Sequence, residues 1–146
     1  MIDMDMVSVN HEITAQLARS AVRASTNLPV KYVVLDTKTG RTGRYLAAFR
    51  GRKTVMAVCY RLHAQRILAL SYGVVPILRT QELSDKYHFL VDALEFIDQY
   101  RKLQDDDLMA IVGGSFGPDG GASYLELADV RGIRRRNEMI AAQNKR

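Results

Sequence analysis

The chain of 146 residues has no tryptophan, one cysteine (Cys59) and three prolines. A lone thiol cannot close an internal disulfide, so a reducing cytoplasm is the expected compartment. No apolar run reaches the ~18 residues of a membrane span, and no membrane partner is expected. The start, Met1-Ile2-Asp3-Met4-Asp5-Met6, lacks the basic segment of a signal peptide. No internal repeat and no low-complexity block occur. His11, His63 and His88 have no ligand spacing with Cys59. Asp105-Asp106-Asp107 reads as the end of a helix leading into a strand rather than as a metal site. No metal is therefore expected, and Cys59 reads as a packed thiol, since no His or Asp pattern makes it a nucleophile.

What is present is ordinary globular material, 47% apolar and 25% charged. The length fits one domain. The formal charge is +5, and much of it lies in Arg131, Arg134, Arg135, Arg136, Lys145 and Arg146. The organisation expected is a lead-in over 1–9, a domain over 10–130 and a basic tail over 131–146. Such a tail reads as a solvated end before it reads as a nucleic-acid arm.

Asn10 can cap a helix to about Thr26, with Ile13, Leu17, Ala21 and Ala24 on its buried face. Val30 to Leu35 is a strand. Arg41 to Arg50 is a helix with Tyr45, Leu46 and Phe49 inward, stopped by Gly51. Thr54 to Cys59 is continuously apolar, as in a strand covered on both faces. Leu62 to Tyr72 is helical, with Ile67 and Leu70 inward. Val74 to Leu78 is a strand whose Pro76 assigns it to a sheet edge. Ser84 caps a helix over Asp85 to Arg101 with Tyr87, Leu90, Leu94 and Ile97 as its stripe. Leu108 to Val112 is a fourth strand. Ala122 to Val130 alternates as a half-exposed fifth, with Tyr124, Glu126 and Ala128 on one side, and its closeness to the fourth favours antiparallel pairing.

Strands alternating with helices predict an α/β fold: a mostly parallel five-stranded sheet, the last strand antiparallel, with helices on both faces. Right-handed crossovers then set the first and fourth strands side by side. Ligands of such sheets bind beyond the strand C-termini where the order reverses. Two loops meet there. Thr37-Lys38-Thr39-Gly40-Arg41-Thr42 precedes a helix, so free N–H groups, hydroxyls, two cations and a glycine suit a phosphate. Its spacing is not that of a Walker loop. The bland alternative is a threonine-capped helix start. Gly113 to Gly121 contains five glycines and a proline. It reads either as a plain β–β connection or as a flap, through Gly114, Ser115, Phe116, Gly117, Gly120 and Gly121.

Strand one, the Thr37–Thr42 loop and Gly43-Arg44-Tyr45-Leu46-Ala47-Ala48-Phe49-Arg50 resemble the C-terminal domain of pyruvate kinase. Val55 to Arg61, then Gln65 to Leu78 with Tyr72-Gly73-Val74-Val75-Pro76, continue the likeness. It covers about Asn10 to Val130. The resemblance implies a three-layer α/β/α domain that is allosteric rather than catalytic. It implies a sugar phosphate or AMP as effector, its phosphate on Thr37, Lys38, Thr39, Gly40, Arg41 and Thr42 and the glycine-rich loop folded over it. It also implies self-association through the last strand, with Tyr124, Glu126 and Ala128 as interface. Two departures stand out. The stretch Lys86-Tyr87-His88-Phe89 lacks the arginine that meets a second phosphate, so a monophosphate fits better. Ala122-Ser123 replaces a Thr-Asn pair. Catalysis, with its Mg and K ions, belongs in that family to an upstream barrel, the partner expected for this domain. This chain is expected to hold no cofactor and to transfer no phosphate by itself. An assembly-only domain with a vestigial site is the alternative, ahead of a nucleic-acid binder.

Overall fold

Alternation along the strands divides the interior into two halves. In β1 (Val30–Thr37), Val33 and Leu35 point to one face of the sheet and Val34 to the other, all three buried. In β2 (Thr54–Cys59), Val55, Ala57 and Cys59 are opposed in the same way by Met56 and Val58. Strands buried on both faces need helices on both. The structure, a computed structural model, describes residues 6–48, 53–79, 88–114 and 121–144 and supplies them. Three helices, α1 (Met6–Asn27), α2 (Arg41–Ala48) and α3 (Leu62–Ala69), cover the first face. Two more, α4 (His88–Tyr100) and α5 (Val130–Asn144), cover the second.

With β3 (Val74–Leu78), β4 (Leu108–Gly113) and β5 (Tyr124–Asp129), the sheet order is β3-β2-β1-β4-β5. The first four strands are parallel and β5 runs antiparallel to β4. This is the three-layer fold expected, with β1 and β4 adjacent and β3 at an edge, where Pro76 leaves no inner ladder without a donor.

Several expectations need correction. α1 begins at Met6, ahead of the Asn10 cap, so residues 6–9 are helix rather than lead-in. Its buried stripe is Thr14, Ala18, Ala21 and Ser25, and Ile13 is 42% exposed. Small side chains at these positions bring the helix close to the sheet, where Thr14 Oγ1 accepts the Ala122 N–H at 3.3 Å. α3 ends at Ala69, and Ala64 and Leu68 are its buried pair; Leu70, expected inward, is 91% exposed. Leu68 packs into the notch left by Gly43, where a Cβ would lie 2.7 Å from Leu68 Cδ2. The absent side chain at Gly43 is what lets Leu68 of α3 seat against α2.

β1 runs two residues beyond Leu35. Phe49, Arg50, Gly51, Ser84, Asp85 and Tyr87 lie outside the described residues. The tail is not a loose end: through Asn144 it is α5, anchored by buried Val130 and Ile133.

Candidate functional site

β1 and β4 end side by side, and α2 starts four residues after the end of β1. The turn between them is built by its own threonines. Thr37, 4% exposed, accepts the Gly40 N–H on Oγ1 at 2.8 Å. Thr39 Oγ1 accepts the Arg41 N–H at 3.3 Å. Gly40 sits at φ +87°, where a side chain would be strained. Thus Thr37 and Gly40 shape the turn, and the capping role of the threonines is present. The first full helical bond is from Arg44 N–H to Gly40 O, 3.0 Å, so the amides of Thr42 and Gly43 stand ahead of the helical ladder.

Outside this turn lies a cleft of about 420 Å³ lined by Thr39, Arg41, Arg44 and Tyr45. Arg41 and Arg44 are exposed and form no ion pair among the described residues. Arg44 and Tyr45 are absent from the set expected from the sequence. The signal for Arg44 was its spacing, one helical turn after Arg41. Lys38 is half-buried beside the turn.

On the inner side, Asp36, Thr42, Gly113, Gly114, Gly121 and Ala122 enclose a polar cavity of about 10 Å³, roughly room for one water. Thr42 therefore faces the meeting point of the two loops, not the outer cleft. Asp36 is a further member that sequence reasoning passed over. Burial holds its carboxyl up at about 6, although the Tyr60 hydroxyl donates to Asp36 Oδ2 at 3.2 Å and opposes the rise. The Tyr60 phenol is pushed upward in turn by burial and by the Asp36 charge. Burial lifts the Cys59 thiol to about 11, which keeps it protonated.

The flap is described only at its ends. Gly114 is buried, and Gly121, at φ +74°, lies against Thr14. Ser115, Phe116, Gly117 and Gly120 lie outside the described residues. Gly113 closes on Tyr124, whose ring and hydroxyl leave no room for a Cβ there. Tyr124 and Ala128 pack into the second-face core, and Glu126 pairs with Arg136 of α5 at 2.7 Å. The expected interface residues thus face the chain's own C-terminal helix, while the outer backbone edge of β5 borders no other strand among the described residues.

Asp105 pairs with Arg131 and Arg134, and Asp107 Oδ2 accepts the Gln104 N–H at 2.8 Å, so the aspartate run caps a turn and binds α5. Among the described residues no group of His, Cys, Asp and Glu could hold a metal, and no helix is long and apolar enough to cross a membrane.

The family model of the pyruvate kinase alpha/beta domain matches residues 15–128. The chain belongs to this family. Among curated relatives, the pyruvate kinase of Lactobacillus delbrueckii subsp. bulgaricus is 28% identical over 116 residues, which are 79% of this chain and 20% of that protein. That of Bacillus licheniformis is 26% identical, covering 93% of this chain and 25% of that one. The crystal structure of Cryptosporidium parvum pyruvate kinase superposes with a TM-score of 0.68 at 18% identity, over 80% of this chain and 22% of that chain. The chain therefore spans a fifth to a quarter of these pyruvate kinases. It is a pyruvate kinase C-terminal α/β domain by fold and family. The family model itself stops at residue 128, just ahead of α5.

Proposed function

We propose that this pyruvate kinase domain binds a phosphorylated small molecule, a sugar phosphate or AMP, and acts as a regulatory and assembly partner of a catalytic barrel. One observation carries the reading. Two arginines without ion-pair partners among the described residues, Arg41 and Arg44, share a cleft with Thr39 at the start of α2. A dianionic phosphate gains there from two guanidinium groups and from the helix N-terminus. The domain's influence on a barrel would come through unequal ligand affinity in two arrangements of the whole enzyme.

The test is thermal unfolding of the chain with a panel of sugar phosphates, AMP, inorganic phosphate and buffer. A ligand at a hundred times its dissociation constant adds about 2.7 kcal/mol to the native state. A selective shift that disappears in Arg41→Ala and falls in Arg44→Ala supports the reading. An equal shift in the variants would remove the phosphate from this cleft.

A second reading, assembly alone, draws on β5. It is an edge strand whose outer N–H and C=O groups can pair with a second copy. A dimer in light scattering that no phosphorylated ligand perturbs would favour it. The basic C-terminus gives little support to nucleic-acid binding, since Arg131, Arg134 and Arg136 are paired with Asp105, Asp98 and Glu126.

A further inference from the structure

At the end of the sheet opposite the phosphate cleft, α4 finishes over the N-terminal ends of three parallel strands. A groove of about 360 Å³ lies between them. Its walls are Tyr32 of β1, Met56 of β2, Val75 of β3, and Phe96 and Ile97 of α4. Met56 and Ile97 are buried, and Phe96 stacks on Tyr100 with ring centres 5.1 Å apart and planes tilted by 50°. The polar groups among its lining residues belong to Thr54, the two tyrosines and Arg101. Arg101 is exposed and has no ion-pair partner among the described residues.

We propose that this groove is a second binding site, for a small aromatic or alicyclic carboxylate. The volume lies in the range of ligand pockets, and apolar walls with few convergent polar groups are the usual make-up of such sites. The aromatic rings of Tyr32, Phe96 and Tyr100 offer faces to a flat apolar body. The charge at the rim fixes the sign of the polar end. A guanidinium meets a carboxylate through two parallel hydrogen bonds, which an amine or a neutral amide cannot reproduce. A cationic ligand would meet Arg101 with repulsion. The site is independent of the phosphate reading: it shares no residue with the Thr37–Thr42 turn and lies at the other end of the strands.

The test titrates the full chain with 1-naphthoate and with neutral 1-naphthamide, following backbone amide resonances. Naphthoate is expected to move the signals of Tyr32, Met56, Val75, Tyr100 and Arg101, and to bind at least fivefold more tightly than naphthamide. Arg101→Gln should erase that preference, and Val75→Trp should fill the groove and abolish binding. Should Val75→Trp fail to fold, Tyr100→Ala on the exposed rim should weaken binding severalfold. Absence of binding at millimolar naphthoate overturns the proposal, leaving the groove as a seat for a second copy or for another part of a longer protein. Equal binding by wild type, Arg101→Gln and Tyr100→Ala overturns it as well. Inorganic phosphate titrated into the same variants should be unaffected, which separates this result from any failure at Arg41.

Discussion

Asp36 is an acid at the end of a strand whose neighbours are apolar, and its carboxyl titrates near 6 because burial penalises its charge. Such a group takes up a proton in the folded chain between about 4 and 6, where the unfolded chain has already released it. Native stability from this residue is therefore highest at low pH and falls as pH rises through 6. Asp36→Asn keeps an oxygen for the Tyr60 hydroxyl and removes the charge. The variant should exceed wild type in stability at pH 8 by up to about 3 kcal/mol, with the gap closing toward pH 4. Urea denaturation at pH 4.5, 6 and 8 measures it, and a gap constant across that range would refute the buried charge. The same residue bounds the polar cavity where the two loops meet. A negative Asp36 is unfavourable for a phosphate held at the neighbouring turn, so Asp36→Asn should tighten phosphate binding over wild type at pH 8 and lose that advantage toward pH 4.5. Strand one could be read in the sequence as a strand. The cost of its Asp could not, because it depends on which side chains close around the strand's end.

At the scale of elements, α5 separates contacts that hold from contacts that decorate. Arg134 reaches Asp98 at 2.8 Å and Asp105 at 3.6 Å, with the side chains of all three well exposed. Exposed pairs contribute about 0–1 kcal/mol each. Ile133 is buried in the core formed by α4 and the sheet. Ile133→Ala should cost roughly 2–5 kcal/mol in urea unfolding, whereas Arg134→Ala should cost under about 1 kcal/mol. The reverse ranking would mean that the ion pairs, not the apolar contact, hold the helix. The charges of this segment led the sequence reading to a solvated tail; the two apolar residues that anchor it, Val130 and Ile133, were too few to outweigh six basic ones. α1 and α3 went astray for a related reason. Hydropathy favours Ile13, Leu17, Ile67 and Leu70, but helices that must approach a sheet or each other closely present Ala18, Ala21, Ala64 and a Leu68 seated against Gly43. The strands and their order were legible because continuous apolar runs, Pro76 and the short β4–β5 connection leave few alternatives. Of the site, the turn was legible from its threonines and Gly40, while Arg44, Tyr45 and Asp36 became visible only once α2 and the sheet fixed their directions.

The whole molecule has its two loops at one end of the sheet and an apolar step beside the other. Leu70 is 91% and Tyr72 81% exposed, on the turn joining α3 to β3, close to the N-terminal ends of the strands. Nothing in the fold needs them outside: Gly73, at φ +72°, makes the turn, and the ladder resumes with Val55 N–H bonded to Gly73 O at 2.8 Å. Two large apolar side chains side by side in water suit a contact surface better than an isolated domain. Such a surface accords with the catalytic-barrel partner proposed above. Leu70→Ser with Tyr72→Ser should leave urea stability within about 0.5 kcal/mol of wild type, as surface changes do. Where the wild-type chain sediments as more than a monomer at several hundred micromolar, this variant should do so less. A stability loss above about 1 kcal/mol would place the pair in the domain's own packing. Unchanged sedimentation would remove the pair from contacts between copies of this chain.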